Sequence, residues 1–137
     1  MDTSELYVKM CKQAVEIQQN WKPQFGDYCM VYGKGTPSIL AIVTDGENFI
    51  KEWGVWLPRQ DQLQEMEQGE TGDDQVENLA ACISVLEGFN WYLEENWDNF
   101  GYWQPYRSME QLWLVYLYAE KYSKVWDSEK QEWRKEE

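Results

Sequence analysis

The chain contains no histidine and only three cysteines in 137 residues. The lack of histidine excludes Ser-His-Asp and Cys-His catalysis, histidine-bearing zinc sites and the commonest general base near neutral pH. Cysteine-only zinc sites usually take four thiolates, and Cys11, Cys29 and Cys82 are widely spaced in apolar surroundings. We therefore expect buried free thiols in a reducing compartment, with neither a disulfide framework nor a catalytic triad.

Long apolar runs and complete phosphate loops are also missing. The longest apolar run, residues 39–43, is far shorter than a membrane span. The acidic, polar start of the chain lacks the basic and apolar regions of a secretory signal. The short run from Gly33 to Thr36 lacks the rest of a Walker loop and fits a hairpin turn better. We expect a cytoplasmic protein with no membrane association and no cofactor.

Lysine and arginine are absent from residues 60–106, here called the acidic segment, which holds eleven of the 25 acidic residues. The formal net charge is −13, and because nucleic-acid phosphates need clustered basic residues, direct DNA or RNA binding is disfavoured. One interpretation is that the carboxylates form solvated surface that maintains solubility. Alternatively, they form an acidic face that binds a basic protein partner or mimics a nucleic-acid backbone. The residues of this hypothetical face are Asp61, Glu65, Asp73, Asp74, Glu77, Glu94, Glu95 and Asp98.

Carboxylates could also hold Mg²⁺ or Ca²⁺, or act as an acid/base pair. Glu94 and Asp98 are four residues apart, as are Asp73 and Glu77, so each pair can share a helical face. Such spacings arise often in acidic chains. The run 94–105 lacks the leading Asp, the sixth-position Gly and the closing Glu of an EF-hand loop. No metal site is therefore assigned.

Aromatic residues are abundant, at 16% of the chain, and eight of them lie within residues 89–106. Large rings in a small domain usually form core. Aromatic faces beside Asn, Gln and Asp can instead line a groove for sugars or cations. The candidates for such a groove are Trp91, Trp97, Tyr102 and Trp103.

Helical periodicity appears in four stretches of the sequence. It predicts a helix over 4–20, opened by a capping box of Asp2 and Glu5, and another over 59–67. A third begins after Asp74 and carries Val76, Leu79, Ala80, Ile83 and Leu86 at helical spacing, with Gly88 ending or interrupting it. A fourth covers 108–122, with Ser108 and Gln111 at capping-box spacing.

Strand patterns surround the turn residues Asp45 and Gly46. They predict a three-stranded antiparallel meander over 27–57, with its third strand over 49–53, and residues 123–135 are expected to form a hairpin rather than a helix. The length indicates a single domain, 1–137, in which residues 58–106 form the acidic helical and aromatic part. The predicted class is α+β, with a small antiparallel sheet packed against about four helices.

Two segments carry a family resemblance. One runs from Trp56 to Met66; the other runs from Ser108 to Leu114 and is followed by Glu120-Lys121-Tyr122 and Val125-Trp126. Together, over about a quarter of the chain, they resemble small proteins encoded in phages and prophages of Gram-positive bacteria. The resemblance implies a cytosolic setting in the host bacterial cell and an accessory role, and it supplies no catalytic residue.

The leading hypothesis is a non-enzymatic accessory protein that binds a protein partner through the acidic face. One alternative is a small-ligand or divalent-metal binder, or an enzyme, built on carboxylates. Another is a DNA mimic that inhibits a DNA-binding protein. The sequence does not specify an oligomeric state.

Overall fold

The structure is a computed structural model that describes residues 1–35, 37–45, 49, 51–69 and 72–137. It divides into two compact units: unit 1 is Met1–Arg59 with Trp126–Arg134, and unit 2 is Gln60–Val125 with Lys135–Glu137. The helices and antiparallel strands confirm the α+β class. The single domain expected from chain length stays a prediction.

The first predicted helix is two helices, α1 (Glu5–Gln13) and α2 (Val15–Asn20). They are separated at Ala14, whose φ of −79° and ψ of 65° leave the helical region. Ser4 caps α1 by accepting a hydrogen bond from the backbone N–H three residues on. The predicted capping by Asp2 is wrong, because its carboxylate instead accepts from the Ser4 backbone N–H at 2.8 Å.

The sheet of unit 1 contains β1 (Tyr28–Val31), β2 (Ile39–Ile42) and β3 (Gly54–Leu57), all paired antiparallel. The strand order is β2-β1-β3, so β1 is central and the sequential order of a meander is wrong. The connection from β2 to β3 is too long for a tight hairpin, which allows the chain to reach the far side of β1. The predicted turn at Asp45 and Gly46 lies partly outside the described residues.

The third strand begins later than the sequence pattern indicated. Lys51–Trp53 forms a 3₁₀ helix, and the ladder starts at Gly54. A Cβ atom at Gly54 would lie 3.1 Å from Phe49 Cζ, so glycine allows the backbone to pass close to that ring. The third strand predicted over 49–53 is therefore wrong at residues 51–53, and residue 50 lies outside the described part of the chain.

The core of unit 1 forms where α1 lies against β3. Tyr7 is fully buried, and its hydroxyl donates to the Pro58 carbonyl at 2.5 Å. Trp21 stacks on Trp56 with ring centroids 5.9 Å apart. The Trp21 indole N–H donates to buried Asp27 Oδ2 at 2.8 Å, so this buried carboxylate has a hydrogen-bond donor.

Residues near the C-terminus form a hairpin of β4 (Lys124–Asp127) and β5 (Glu132–Lys135), which confirms the preferred prediction for 123–135. Asp127 Oδ1 accepts from the backbone N–H groups of Glu129 and Lys130, both at 3.0 Å, and closes the turn. These hydrogen bonds, the Lys130 one first, lower the pKa of the Asp127 carboxyl.

Unit 2 is built on four helices, α3 (Gln60–Gln68), α4 (Gln75–Glu95), the single turn α5 (Phe100–Trp103) and α6 (Met109–Tyr122). Helix α6 is its centre, with an almost continuous buried run from Trp113 to Tyr118. Ser108 caps α6 by accepting from the Gln111 N–H, as the spacing predicted. Helix α3 lies against both α4 and α6.

Helix α4 continues for two more turns beyond Gly88, so this glycine neither ends nor interrupts it. A Cβ atom on Gly88 would lie 2.5 Å from the hydroxyl oxygen of Tyr116 on α6. Glycine is therefore needed there for close packing of α4 and α6, and its effect on backbone freedom is secondary.

The three cysteines differ in their burial. Cys11 and Cys29 are buried free thiols, as expected, and burial raises the pKa of both. The expectation that Cys82 is buried was wrong, because Cys82 is exposed on α4.

Across the described ranges of the chain, no helix combines the length and apolarity that crossing a bilayer requires.

Candidate functional site

The first turn of α4 is held by a strong N-cap. Asp74 Oδ1 accepts from the backbone N–H groups of Val76 and Glu77 at 2.8 and 3.2 Å. The Asn78 side chain donates to the Gly72 carbonyl at 2.8 Å and ties the preceding chain to the same turn. The two bonds to Asp74 satisfy helix N–H groups that would otherwise lack partners. The helix is therefore ordered from its first residue, although this end is exposed.

The outer face of α4 carries large apolar side chains in contact with solvent. Val76, Leu79, Ile83 and Leu86 are 77%, 62%, 47% and 55% exposed. Their spacing of three and four residues places them on one side of the helix. We call these four residues the α4 stripe. Sequence periodicity identified these four residues as the apolar stripe of a helix. Such a stripe normally faces a core, but the α4 stripe faces solvent.

The opposite face of α4 is apolar as well, and this face is buried. Phe89 and Tyr92 are 6% and 8% exposed, and Phe89 stacks on Trp113 with ring centroids 3.9 Å apart. Both Phe89 and Tyr92 also contact the Tyr116 ring. A helix with two apolar sides is normally covered on both of them. The described structure covers only one side of α4.

The predicted acidic residues all lie on the surface. Each of the eight carboxylates is exposed, and they occur on α3, in the chain before α4, on α4 and in the turn after it. The eight are Asp61, Glu65, Asp73, Asp74, Glu77, Glu94, Glu95 and Asp98. Asp74 has a structural role as the α4 cap, and Glu94 accepts from the Asn90 amide at 3.0 Å. Three of the eight, Glu77, Glu94 and Glu95, are on α4 itself, and Glu77 lies within the part of the helix that carries the α4 stripe.

The aromatic stretch 89–106 contributes to both core and surface. Phe89, Tyr92 and Tyr106 are buried, whereas Trp91 and Trp97 are 57% and 71% exposed. The two interpretations of this stretch therefore apply to different residues within it.

A pair of tyrosines connects the buried and exposed parts of this stretch. The hydroxyl groups of Tyr92 and Tyr102 are 2.5 Å apart. Desolvation by burial raises the pKa of Tyr92, and the nearby Tyr102 raises it further. The same desolvation raises the pKa of Tyr102 and of Tyr106. These phenols are therefore neutral hydrogen-bonding groups at physiological pH, which suits a structural role.

A cavity of about 420 Å³ opens beside this cluster and is lined by Trp97, Trp103, Gln104 and Arg107. We call it the aromatic cavity. Its volume lies in the range of small-molecule clefts, roughly 300–1,000 Å³. Two of the four predicted groove residues, Trp97 and Trp103, meet in it. Tyr102 lies behind it in contact with the Trp103 ring, with centroids 4.8 Å apart, and Trp91 is not among the lining residues.

Sequence reasoning missed the polar half of the aromatic cavity. Gln104 lies within the aromatic run without a recognised motif, and Arg107, which follows the run, was considered only as a pairing partner for a carboxylate of the acidic segment. Sequence reasoning also missed the outward orientation of the α4 stripe. The sequence did contain a sign of this orientation, because Val85, Phe89 and Tyr92 form a second apolar side of the same helix. One buried face cannot include both apolar sides.

Within the described portion of the chain, no three carboxylate or thiolate residues cluster closely enough to hold a metal ion. Comparison of the chain with protein-family models, with curated proteins and with solved structures gives no match.

Proposed function

We propose that unit 2 is a protein-binding module whose α4 stripe receives an apolar helix or strand with basic flanks from a partner protein. The observation that carries the proposal is the exposure of four large apolar side chains on one face of an ordered, capped helix. Contiguous apolar patches on a soluble domain are typical of interaction sites. The accessory role in a phage setting is a further part of the proposal, based on the sequence resemblance.

The charge around the stripe supports a basic partner. Glu77 and Glu87 are exposed on α4, and Asp73 lies just before it. The acidic segment contains no lysine or arginine, so an approaching basic surface meets no like charge from residues 60–106. Rim charges of opposite sign accelerate association and select against wrong partners. A second copy of α4 is a poorer fit, because carboxylates of both copies would approach one another without a compensating base in this segment.

The α4 stripe also favours a protein over the other two classes considered. A DNA mimic presents carboxylates in place of phosphates, and large exposed apolar side chains add nothing to that resemblance. Carboxylate-based enzymes and metal binders need convergent acidic groups, whereas these carboxylates are spread along the exposed surface of several elements. We therefore propose a non-enzymatic role for the acidic face: it steers the partner and determines which partner binds.

Two synthetic peptides with identical leucine spacing test the proposal. One carries lysine at its flanking positions and the other carries glutamate, and binding to the full chain is followed by fluorescence anisotropy. We expect the lysine peptide to bind and the glutamate peptide not to bind. Raising the salt concentration from about 50 to about 500 mM should lower the affinity of the lysine peptide roughly tenfold, because exposed charges are then screened.

Variants of the stripe separate apolar contact from charge. L79S/I83S removes two half-exposed aliphatic side chains, each contributing about 1 kcal/mol when covered, so affinity should fall roughly 30-fold. The matched control is Val15→Ser, a change at a 51% exposed aliphatic residue in unit 1, which should leave affinity unchanged. E77Q/E87Q should weaken binding and reduce its salt dependence. Asp74 is left intact because it caps the helix.

Three results would contradict the proposal. The first is equal binding of the lysine and glutamate peptides, and the second is an equal loss of affinity for V15S and L79S/I83S. The third is a concentration-dependent dimer in light scattering that L79S/I83S abolishes, which would identify a second copy as the occupant. Circular dichroism of each variant checks that α4 remains helical.

A further inference from the structure

We infer that the aromatic cavity is a second binding site and that it takes a neutral saccharide ring. This inference is independent of the α4 stripe, because its residues and its probes are different. It rests on a rigid aromatic wall, an exposed indole, two side-chain hydrogen-bonding groups and a mixed local charge.

The inner wall of the cavity is held in place. The Trp103 indole N–H donates to the Asn96 carbonyl at 2.7 Å. The ring is also packed edge-on against Tyr92, Tyr102 and Tyr106, with centroids 5.9, 4.8 and 6.3 Å away. An indole with its N–H engaged and three aromatic neighbours has little freedom to turn. Trp103 therefore presents a preorganised apolar surface, which reduces the cost of ordering on binding.

The outer wall is formed by Trp97, which lies in the turn after α4 and is 71% exposed. Its backbone N–H donates to the Glu94 carbonyl at 3.1 Å, so the turn itself is hydrogen-bonded. Leaving a large apolar ring in water is unfavourable, and a ligand that stacks on it recovers that free energy. The C–H faces of a pyranose ring are apolar and match an indole in size.

Arg107 and Gln104 supply the polar groups of the cavity. Arg107 Nη1 donates to the backbone carbonyls of Gln104 and Tyr106, and the Arg107 backbone N–H donates to buried Gln111 Oε1 at 2.8 Å. The two bonds from the Arg107 side chain use a single nitrogen of its guanidinium group. That group has five N–H donors, so donors remain for a ligand. The Gln104 side chain adds a donor and an acceptor. Sugar hydroxyls pair with groups of this kind.

The charge at the cavity argues against charged ligands of either sign. Glu94, Glu95 and Asp98 flank Trp97 in the chain and are exposed, which disfavours phosphates and other anions. The Arg107 guanidinium lines the cavity itself and disfavours an ammonium ion between the two indoles. A neutral ring with hydroxyl groups avoids both penalties. It also uses the apolar and polar walls together.

Three monosaccharides that share one ring but differ in charge test the inference: N-acetylglucosamine is neutral, glucosamine is cationic and glucuronate is anionic. Binding to the full chain is measured by saturation-transfer NMR and by calorimetry, with a neutral glucose trisaccharide and adenosine as further probes. We expect the neutral sugars to bind and the trisaccharide to bind most tightly. The charged sugars should bind at least roughly threefold more weakly, because each meets a like charge.

Single substitutions locate the site. Trp97→Ala should weaken binding of the trisaccharide roughly tenfold, because a stacking face is lost. The matched control is Trp91→Ala, which removes another exposed tryptophan, at the 57% exposed position on α4, and should leave the affinity within about twofold. Gln104→Ala, at an exposed position away from the core, provides a second test and should weaken binding without affecting folding.

The inference is overturned if no neutral sugar binds, if either charged sugar binds more tightly than the neutral one, or if adenosine binds in their place. Equal losses for W97A and W91A would also overturn it. The basic-peptide experiment uses different residues, so failure there would leave this result standing, and failure here would leave the α4 stripe proposal standing.

Discussion

The contact between Gly88 of α4 and Tyr116 of α6 gives the sharpest quantitative prediction. Alanine is a better helix former than glycine, and the replacement in a helix interior normally stabilises by about 1 kcal/mol. At Gly88 the added Cβ would lie only 2.5 Å from the Tyr116 hydroxyl oxygen. Tyr116 is 4% exposed and packed against Phe89, Tyr92 and Trp113, so its ring has little room to move.

We expect Gly88→Ala to destabilise unit 2. Overpacking of this severity costs up to about 3 kcal/mol, which leaves a net loss of about 2 kcal/mol after the gain in helix propensity. Tyr116→Phe removes the offending oxygen and leaves the ring carbon Cζ, which the new Cβ would meet at 3.7 Å, an ordinary contact distance. In that background the same G88A change should stabilise by about 1 kcal/mol.

A double-mutant cycle measured by urea unfolding, followed by helical circular dichroism, tests this reversal of sign. The expected coupling energy is about 3 kcal/mol. Gly101→Ala is the matched control, because the nearest atom to its added Cβ, Asn99 Oδ1, is 3.9 Å away. A G88A change that destabilises equally with Tyr116 and with phenylalanine would refute the explanation of Gly88 by close packing.

Two further predictions concern buried carboxylates. Among the residues that the structure describes, Glu67 Oε2 is buried without a hydrogen-bond partner. Desolvation raises the pKa of this carboxyl. The stability that comes from its protonation is therefore present below the unfolded-state pKa and is lost as the pH rises through the folded-state pKa. Glu67→Gln should therefore raise the melting temperature at pH 7 by roughly 4 °C and flatten the loss of stability above pH 4.5. An equal effect from Glu65→Gln, at an exposed position on the same helix, would contradict this assignment. Asp27→Ala removes the acceptor of the Trp21 indole N–H and of the Gln24 backbone N–H. Urea unfolding should show that the free energy of unfolding falls by about 3 kcal/mol. If it falls no further than in Asp27→Asn, the acceptor is unimportant.

Local patterns predicted much of the secondary structure because caps and periodicity act within one helical turn. Asp74 caps α4, which was predicted to begin after it, and Ser108 caps α6 as its spacing with Gln111 indicated. Asp2 failed because Ser4, two residues on, was the better-placed cap. Gly88 was misjudged because its role depends on Tyr116, which is distant in sequence.

The candidate site was predicted less completely than the fold. Trp97 and Trp103 were identified from their density of aromatic neighbours, yet no motif marked the nearby Gln104 and Arg107 as parts of the same site. The predicted meander was wrong for a similar reason. The pairing of β3 with β1 depends on contacts between residues 28–31 and 54–57. Strand periodicity carries no information on pairing order.

The amino-acid sequence by itself determined the net charge, the confinement of acidic excess to residues 60–106, the absence of histidine chemistry and the α+β class. These properties are sums or short-range patterns, so they do not depend on how the chain packs. Only the tertiary structure decided that the α4 stripe faces solvent while Phe89 and Tyr92 face α6. The physical reason is that α4 is apolar on two sides, and helical periodicity cannot choose which side is buried until other elements cover one of them.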